Sequence, residues 1–177
     1  MSDFSKQYAK ALYELSKEEN IVESVFGELS TIEKIIDDNK GYINLIDTPA
    51  VPLAERLNLL EGAFSGCSLY VKNFLKILAE KKCFHIYKKC VKEFKALYDE
   101  DNNIERVNAL TCIPLTEGQV KRLEEKLEKI VSKTVIINNI IDTDIMGGVI
   151  LKLNNSQYDG SIRSRLERLA MELRQIN

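Results

Sequence analysis

The sequence predicts a mainly α protein, with an N-terminal bundle of five or six helices followed by a small α/β domain of order β-α-β-β-α. Three observations support this fold class. Apolar residues recur at helical spacing almost throughout residues 3 to 100. The polar run from Tyr98 to Asn103 then ends this pattern, and short β-branched segments follow. We therefore expect one domain over residues 1–103 and a second over residues 104–177.

The first helix begins after Asp3, a residue type that caps helix N-termini. Two neighbouring sets of residues lie along it, and we expect the larger set to face the core and the smaller set to face a partner helix. Small side chains let another helix approach closely, although the helix could also simply be central in the bundle. The larger set is Phe4, Tyr8, Ala11, Leu12 and Leu15, and the smaller set is Ser5, Ala9, Tyr13 and Ser16.

The remaining helices of the first domain are bounded by glycine and proline. Gly41 ends the second helix, and Pro49 and Pro52 mark the loop before the next long one. The predicted helices after the first are Ile21 to Asp38, a short turn from Tyr42 to Ile46, Leu53 to Phe64, Ser68 to Glu80 and Phe84 to Tyr98.

The helix from Ser68 to Glu80 is apolar nearly all round. It has a complete core stripe of Val71, Phe74, Leu75 and Leu78. Its further apolar residues are Leu69, Tyr70, Ile77 and Ala79. If this helix lies beside the first one, the two would form a groove for an amphipathic partner helix, and the alternative is again a central helix.

The second domain alternates strands and helices. A strand from Ile104 to Ile113 ends at Pro114, and a capping box at Thr116 opens a helix. Strands are predicted from Thr134 to Ile141 and from Gly148 to Leu153. A turn at Asp159-Gly160-Ser161 precedes the closing helix, whose apolar positions are Ile162, Leu166, Leu169 and Leu173.

The composition indicates no catalytic centre and no cofactor. The chain has 177 residues, a net charge of −2, four cysteines and one histidine. Cys83 and Cys90 are about 10 Å apart on one helix, too far for a disulfide or a shared metal. The loop beginning Asp142-Thr143-Asp144 has apolar residues where calcium ligands are needed, and no phosphate-binding glycine loop is present. We therefore expect a non-catalytic protein without metal or cofactor.

Charge and hydropathy indicate which partners and which cellular location to expect. Lysines on the Phe84 to Tyr98 helix and arginines on the closing helix are interpreted as solvated faces, and an RNA-associated protein is the weaker alternative. The N-terminus lacks the apolar core of a signal peptide, and no stretch reaches the ~20 apolar residues of a membrane span. We expect a cytoplasmic location, no nucleic acid partner, and contact with a membrane only through other proteins.

Two segments resemble signatures of a known family. Tyr8-Ala9-Lys10-Ala11-Leu12-Tyr13 resembles the opening helix of the delta subunits of F-type ATP synthases, the bacterial relatives of the oligomycin-sensitivity-conferring protein. A longer segment, from Asp144 to Leu169, is similar to the C-terminal signature of that family. Its signature positions are Gly147, Gly148, Asp159, Gly160, Ser161, Arg165, Leu166 and Leu169. Tyr158 departs from the family, in which hydrophobic residues are more usual at this position.

The resemblance implies a stator role at the cytoplasmic face of a bacterial cell membrane, with protons or sodium ions as the coupling ion. The first domain would hold the N-terminal helix of an alpha subunit between its first and fifth helices, and the second would join the b subunits of the peripheral stalk. The residues expected in the groove are Tyr8, Ala9, Leu12, Tyr13, Tyr70, Phe74, Ile77 and Leu78. Leu12→Asp or Leu78→Asp would then weaken binding to the head. The alternative is an unrelated helical-bundle adaptor.

Overall fold

The fold was obtained as a computed structural model, which describes residues 4–39, 41–153 and 156–175. It divides into two compact units, Met1–Tyr98 and Asp99–Asn177. The predicted fold class is confirmed, since a helical bundle is followed by a small mixed sheet with two helices. The predicted Asp3 cap lies outside the described residues.

The first unit is built from helices that share one core. Their bounds are α1 Phe4–Glu18, α2 Val22–Asp38, α3 Gly41–Asp47, α4 Leu53–Ala63, α5 Leu69–Glu80, a 3-10 turn Phe84–Ile86, and α6 Tyr87–Asp101. The helix predicted to end at Tyr98 thus continues to Asp101. Ser68 caps α5 by accepting a hydrogen bond from the backbone N–H of Val71.

The core of the first unit also contains two polar side chains that donate hydrogen bonds to backbone carbonyls. The Tyr87 hydroxyl donates to the carbonyl of Leu29 at 3.0 Å. Arg56, which is buried on α4, donates from one terminal nitrogen to the carbonyls of Ile46 at 3.3 Å and Ala79 at 2.9 Å. These carbonyls lie in the last turns of α3 and α5, so the arginine joins three helices and places its positive charge at two helix C-termini.

The second unit is a four-stranded mixed sheet with the spatial order β2-β1-β3-β4. Its elements are β1 Ile104–Thr111, α7 Glu117–Val131, β2 Thr134–Ile141, β3 Val149–Lys152, β4 Gln157–Asp159 and α8 Ile162–Gln175. The short strand β4 was not predicted. β1 and β2 are parallel and joined by α7, whereas β3 is antiparallel to both β1 and β4.

One face of this sheet packs against α7 and forms the core of the second unit. Leu127 of α7 contacts a cluster that includes Val107, Ala109, Val135 and Leu151. Thr116 and Gln119 form the predicted capping box at the start of α7. Because side chains alternate along a strand, the even-numbered residues of β2 lie on the other face of the sheet.

Candidate partner-binding surfaces

The structure reverses the two predicted faces of α1. The small residues and the aromatic beside them are buried, and most of the residues expected in the core lie at the surface. The buried residues are Ser5, Ala9, Leu12, Tyr13 and Ser16. The exposed or half-buried residues are Phe4, Tyr8, Ala11 and Leu15.

Close packing explains this reversal. The ring of Tyr13 meets that of Phe94 edge-on, with 5.2 Å between centroids and 74° between planes. The Ser16 hydroxyl donates to the Leu12 carbonyl at 2.6 Å, so its burial leaves no unpaired group. The small residues do let another helix approach closely, but the approaching helices belong to this chain.

Five of the eight residues predicted to line the groove are therefore part of the core. These are Ala9, Leu12, Tyr13, Phe74 and Leu78. Leu12 is 5% exposed and Leu78 is fully buried at 0%, so an aspartate at either position would destabilise the bundle rather than report on binding. The predicted core stripe of α5 is confirmed, and Ala79 is buried with it.

The exposed residues of α1 and α5 lie along flanks that approach one another. Tyr70 on α5 forms a hydrogen bond with Glu19, which follows the last residue of α1. Glu19 continues the helical stripe that contains Tyr8 and Leu15, because these residues are spaced by four and seven positions. Ile77 lies two turns along α5 from Tyr70, on the same flank.

We name this apolar strip the α1/α5 surface and define it by Phe4, Tyr8, Ala11, Leu15, Tyr70 and Ile77. Phe4 is 61% exposed, Leu15 39% and Ile77 42%. Partial burial is the main cause that raises the pKa of the Tyr70 hydroxyl, and the adjacent Glu19 carboxylate adds to it. A neutral hydroxyl within an apolar strip suits contact with another protein.

In the second unit, the signature glycines and the Asp-Gly-Ser turn form one backbone junction. The N–H of Gly160 donates to the Val149 carbonyl at 2.9 Å, and the N–H of Ile162 donates to the Gly147 carbonyl at 3.0 Å. Gly148 has a φ of +89°, and a β-carbon there would lie 2.4 Å from the Gly160 carbonyl oxygen. The glycines thus allow the start of β3 and the start of α8 to touch.

Ser161 caps α8, because its hydroxyl accepts a hydrogen bond from the backbone N–H of Ser164 at 3.3 Å, and Asp159 holds this turn in place. Asp159 accepts hydrogen bonds from the Ser164 hydroxyl at 2.7 Å and from the Ser161 N–H at 2.8 Å. The hydrogen bond from Ser164 is the largest cause that lowers the pKa of the Asp159 carboxyl below its usual value. Arg165 and Leu166 are exposed on α8, and the side chain of Leu169 lies outside what the structure describes.

Comparisons with known proteins identify the family. Residues 4–173 match the family described as the ATP synthase delta (OSCP) subunit. The chain is 34% identical to the ATP synthase subunit delta of Clostridioides difficile, with 97% of this chain and 96% of that one covered. The chain belongs to the ATP synthase delta (OSCP) subunit family.

Further relatives agree with this delta subunit assignment. The ATP synthase subunit delta of Leuconostoc mesenteroides is 32% identical, with 98% of this chain and 97% of the relative covered. A chain in the cryo-EM structure of the Toxoplasma gondii mitochondrial ATP synthase hexamer shares the fold, with a TM-score of 0.75, 21% identity and 96% of each chain covered. The chain is therefore part of an F-type ATP synthase, and the alternative of an unrelated adaptor was wrong.

Membership of the delta subunit family makes this chain a non-catalytic member of its complex. Within residues 4–39, 41–153 and 156–175, no three His, Cys, Asp or Glu side chains converge as metal ligands would. In the same described ranges, no helix is both long and apolar enough to cross a membrane.

Proposed function

We propose that this chain is the stator subunit that links the catalytic head of the ATP synthase to the peripheral stalk, so that ion-driven rotation is coupled to ATP synthesis. Family membership supports a place in the complex. The single observation that supports the linking role is the α1/α5 surface, an apolar strip left open on a compact bundle. We assign residues 1–103 to the head and residues 104–177 to the stalk.

The proposed occupant of the α1/α5 surface is the N-terminal helix of an alpha subunit. An amphipathic helix binds by laying its apolar face against a strip of anchors spaced along neighbouring helices. Phe4, Tyr8 and Leu15 supply anchors on one side, and Tyr70 and Ile77 supply them on the other. Burial of these side chains would give the slow dissociation that a mechanical connector needs.

The proposed stalk contact lies on the second unit and involves the b subunits. This unit exposes large apolar side chains on α8 and on the face of the sheet opposite α7. They are Ile136, Ile140, Ile162, Leu166 and Met171. Through these contacts the chain would lie at the cytoplasmic face of a bacterial cell membrane without entering the bilayer.

Binding of a labelled peptide, corresponding to the alpha-subunit N-terminal helix, to the full chain tests the head contact. Leu15→Asp and Ile77→Asp should each weaken the dissociation constant about tenfold or more, because each would bury an unpaired carboxylate in the interface. Leu69→Asp is the matched control, since Leu69 is 67% exposed on α5 and lies off the strip. The control should bind like the unaltered chain.

Two results would count against this assignment. One is unchanged peptide binding by folded Leu15→Asp and Ile77→Asp variants, and the other is an equal loss in Leu69→Asp. Rebinding of stripped heads to membranes, with recovery of coupled ATP synthesis, tests the linking role as a whole. Binding should respond weakly to added salt, whereas an RNA-associated protein would lose affinity steeply.

A further inference from the structure

Strand β2 forms one edge of the sheet in the second unit. Its eight residues, Thr134–Ile141, are Thr-Val-Ile-Ile-Asn-Asn-Ile-Ile, with no charge, no proline and mostly β-branched side chains. An edge strand of this kind presents unpaired backbone groups that another strand can join, and its composition favours such pairing.

The backbone of β2 alternates between the sheet and the open edge. The N–H of Thr134 donates to the Asn103 carbonyl, and the N–H of Asp142 donates to the Thr111 carbonyl, both at 2.9 Å. Even-numbered N–H groups therefore point toward β1. Those of odd-numbered residues, including Val135 and Ile137, point toward the open edge.

Two carboxylates from α7 accept hydrogen bonds from the first two of these outward N–H groups. The N–H of Val135 donates to Glu128 Oε1 at 3.2 Å, and the N–H of Ile137 donates to Glu124 Oε1 at 3.3 Å. Both glutamates are half-buried, whereas the adjacent Glu125 is exposed. They accept hydrogen bonds from main-chain groups that are otherwise free to bond another strand.

The spacing of helix and strand makes this double contact possible. Four residues of helix rise about 6 Å, and two residues of strand extend about 6.6 Å, so glutamates one turn apart match every second residue of β2. One turn before Glu124 on the same side of α7 lies Val120, whose side chain has no hydrogen-bond acceptor. The carboxylates thus serve Val135 and Ile137 only.

We propose that Glu124 and Glu128 close the edge of β2 against pairing with a second copy of this chain. The second copy is the natural occupant because two β2 edges bring together no like charges, and their β-branched side chains are self-compatible. With the carboxylates in place, the outward N–H groups of Val135 and Ile137 are bonded and negative charge lies at this part of the edge. This device uses the main chain at the open edge of β2, whereas the proposed stalk contact uses side chains, among them Ile136 and Ile140 of the same strand.

Sedimentation velocity over a concentration series tests the proposal on the full chain. The unaltered chain and the control Glu125→Ala should remain monomeric, whereas the Glu124→Ala/Glu128→Ala variant should associate as concentration rises. Glu124→Gln/Glu128→Gln keeps the side-chain acceptors and should stay monomeric. Adding Ile136→Lys to the alanine variant places a charge on the strand and should restore the monomer.

Amide hydrogen exchange in the single variants gives an independent readout. Glu124→Ala should speed exchange at Ile137 but not at Val135, and Glu128→Ala should do the reverse. The expected increase is about tenfold or more, since a hydrogen bond to a charged group is lost. A folded alanine double variant that stays monomeric, association that Ile136→Lys does not suppress, or unchanged exchange at both amides would overturn the proposal.

Discussion

Substitution of Gly148 by alanine should break the junction between β3 and α8. The added β-carbon would lie 2.4 Å from the carbonyl oxygen of Gly160 and 2.8 Å from the Cα of Ser161. Both are backbone atoms, so no side-chain rotation can relieve the overlap. The φ of +89° at Gly148 adds strain that any residue with a β-carbon would feel.

The expected decrease in the free energy of unfolding is large compared with the total stability of the second unit. A left-handed φ costs about 1–2 kcal/mol for a residue other than glycine. Forcing atoms into a packed site costs about 1–3 kcal/mol more, which gives roughly 2–5 kcal/mol in total. A unit of about 80 residues has a free energy of unfolding of roughly 4–12 kcal/mol, so Gly148→Ala should remove a large share of it.

Chemical denaturation followed by circular dichroism, with hydrogen exchange of β3 and the start of α8, measures this effect. Gly118→Ala is the matched control in the same unit, because a β-carbon on Gly118 in α7 would have no atom within 4 Å apart from its chain neighbours and the backbone of its own helix. The control should be neutral or stabilise by up to about 1 kcal/mol. An unchanged unfolding midpoint in Gly148→Ala, or an equal loss in the control, would refute the steric reasoning.

Three further predictions concern the polar groups of Tyr87 and Asp159 and their dependence on pH. Tyr87→Phe removes the hydroxyl that donates to Leu29 and should lower the free energy of unfolding by about 1–2 kcal/mol, measured by denaturation. Burial is the largest cause that raises the pKa of Tyr87 above 10.0, so stability should fall as pH rises beyond that value, and less so in Tyr87→Phe. The pKa of the Asp159 carboxyl is lowered, so its ionised form stabilises the fold at pH values above 3.8, the ordinary pKa of an aspartate. Stability should be lost as the pH falls below 3.8. Asp159→Asn should flatten this dependence in acid denaturation.

The local sequence pattern was sufficient for the core stripe of α5 and for the bounds of β2. The stripe of Val71, Phe74, Leu75 and Leu78 is buried as its spacing predicts. The strand from Thr134 to Ile141 has the predicted ends, because β-branched residues fill it and polar residues bound it. In both cases the local pattern and the tertiary contacts favour the same structure.

The faces of α1 could not be chosen from the pattern alone. The two neighbouring sets of residues differ in size, and the larger apolar side chains favour the set that proves to be exposed. The buried face of α1 is determined by how closely the neighbouring helices pack against it. This distance leaves room for Ser5, Ala9 and Ser16 but not for a row of larger residues. That distance depends on residues such as Phe94, far away in the sequence.

Other features depend on contacts between residues that are distant in the sequence, and a local pattern does not predict such contacts. Arg56 on α4 is buried because two carbonyls from α3 and α5 converge on it. Glu124 and Glu128 read as ordinary solvated residues of an amphipathic helix until β2 lies beside them. The short strand β4 exists through its pairing with β3, since its three exposed residues have no apolar pattern of their own.

The edge of β2 is partly covered, whereas the α1/α5 surface is exposed, and the chemistry of the two surfaces explains this difference. Backbone groups at a sheet edge pair with almost any extended segment, so an open edge invites unselective association, and Glu124 and Glu128 occupy part of it. A strip of side chains such as Phe4, Leu15 and Ile77 instead requires a partner with matching shape and spacing. The apolar strip can therefore remain exposed in the free subunit, whereas the strand edge needs a cap of its own.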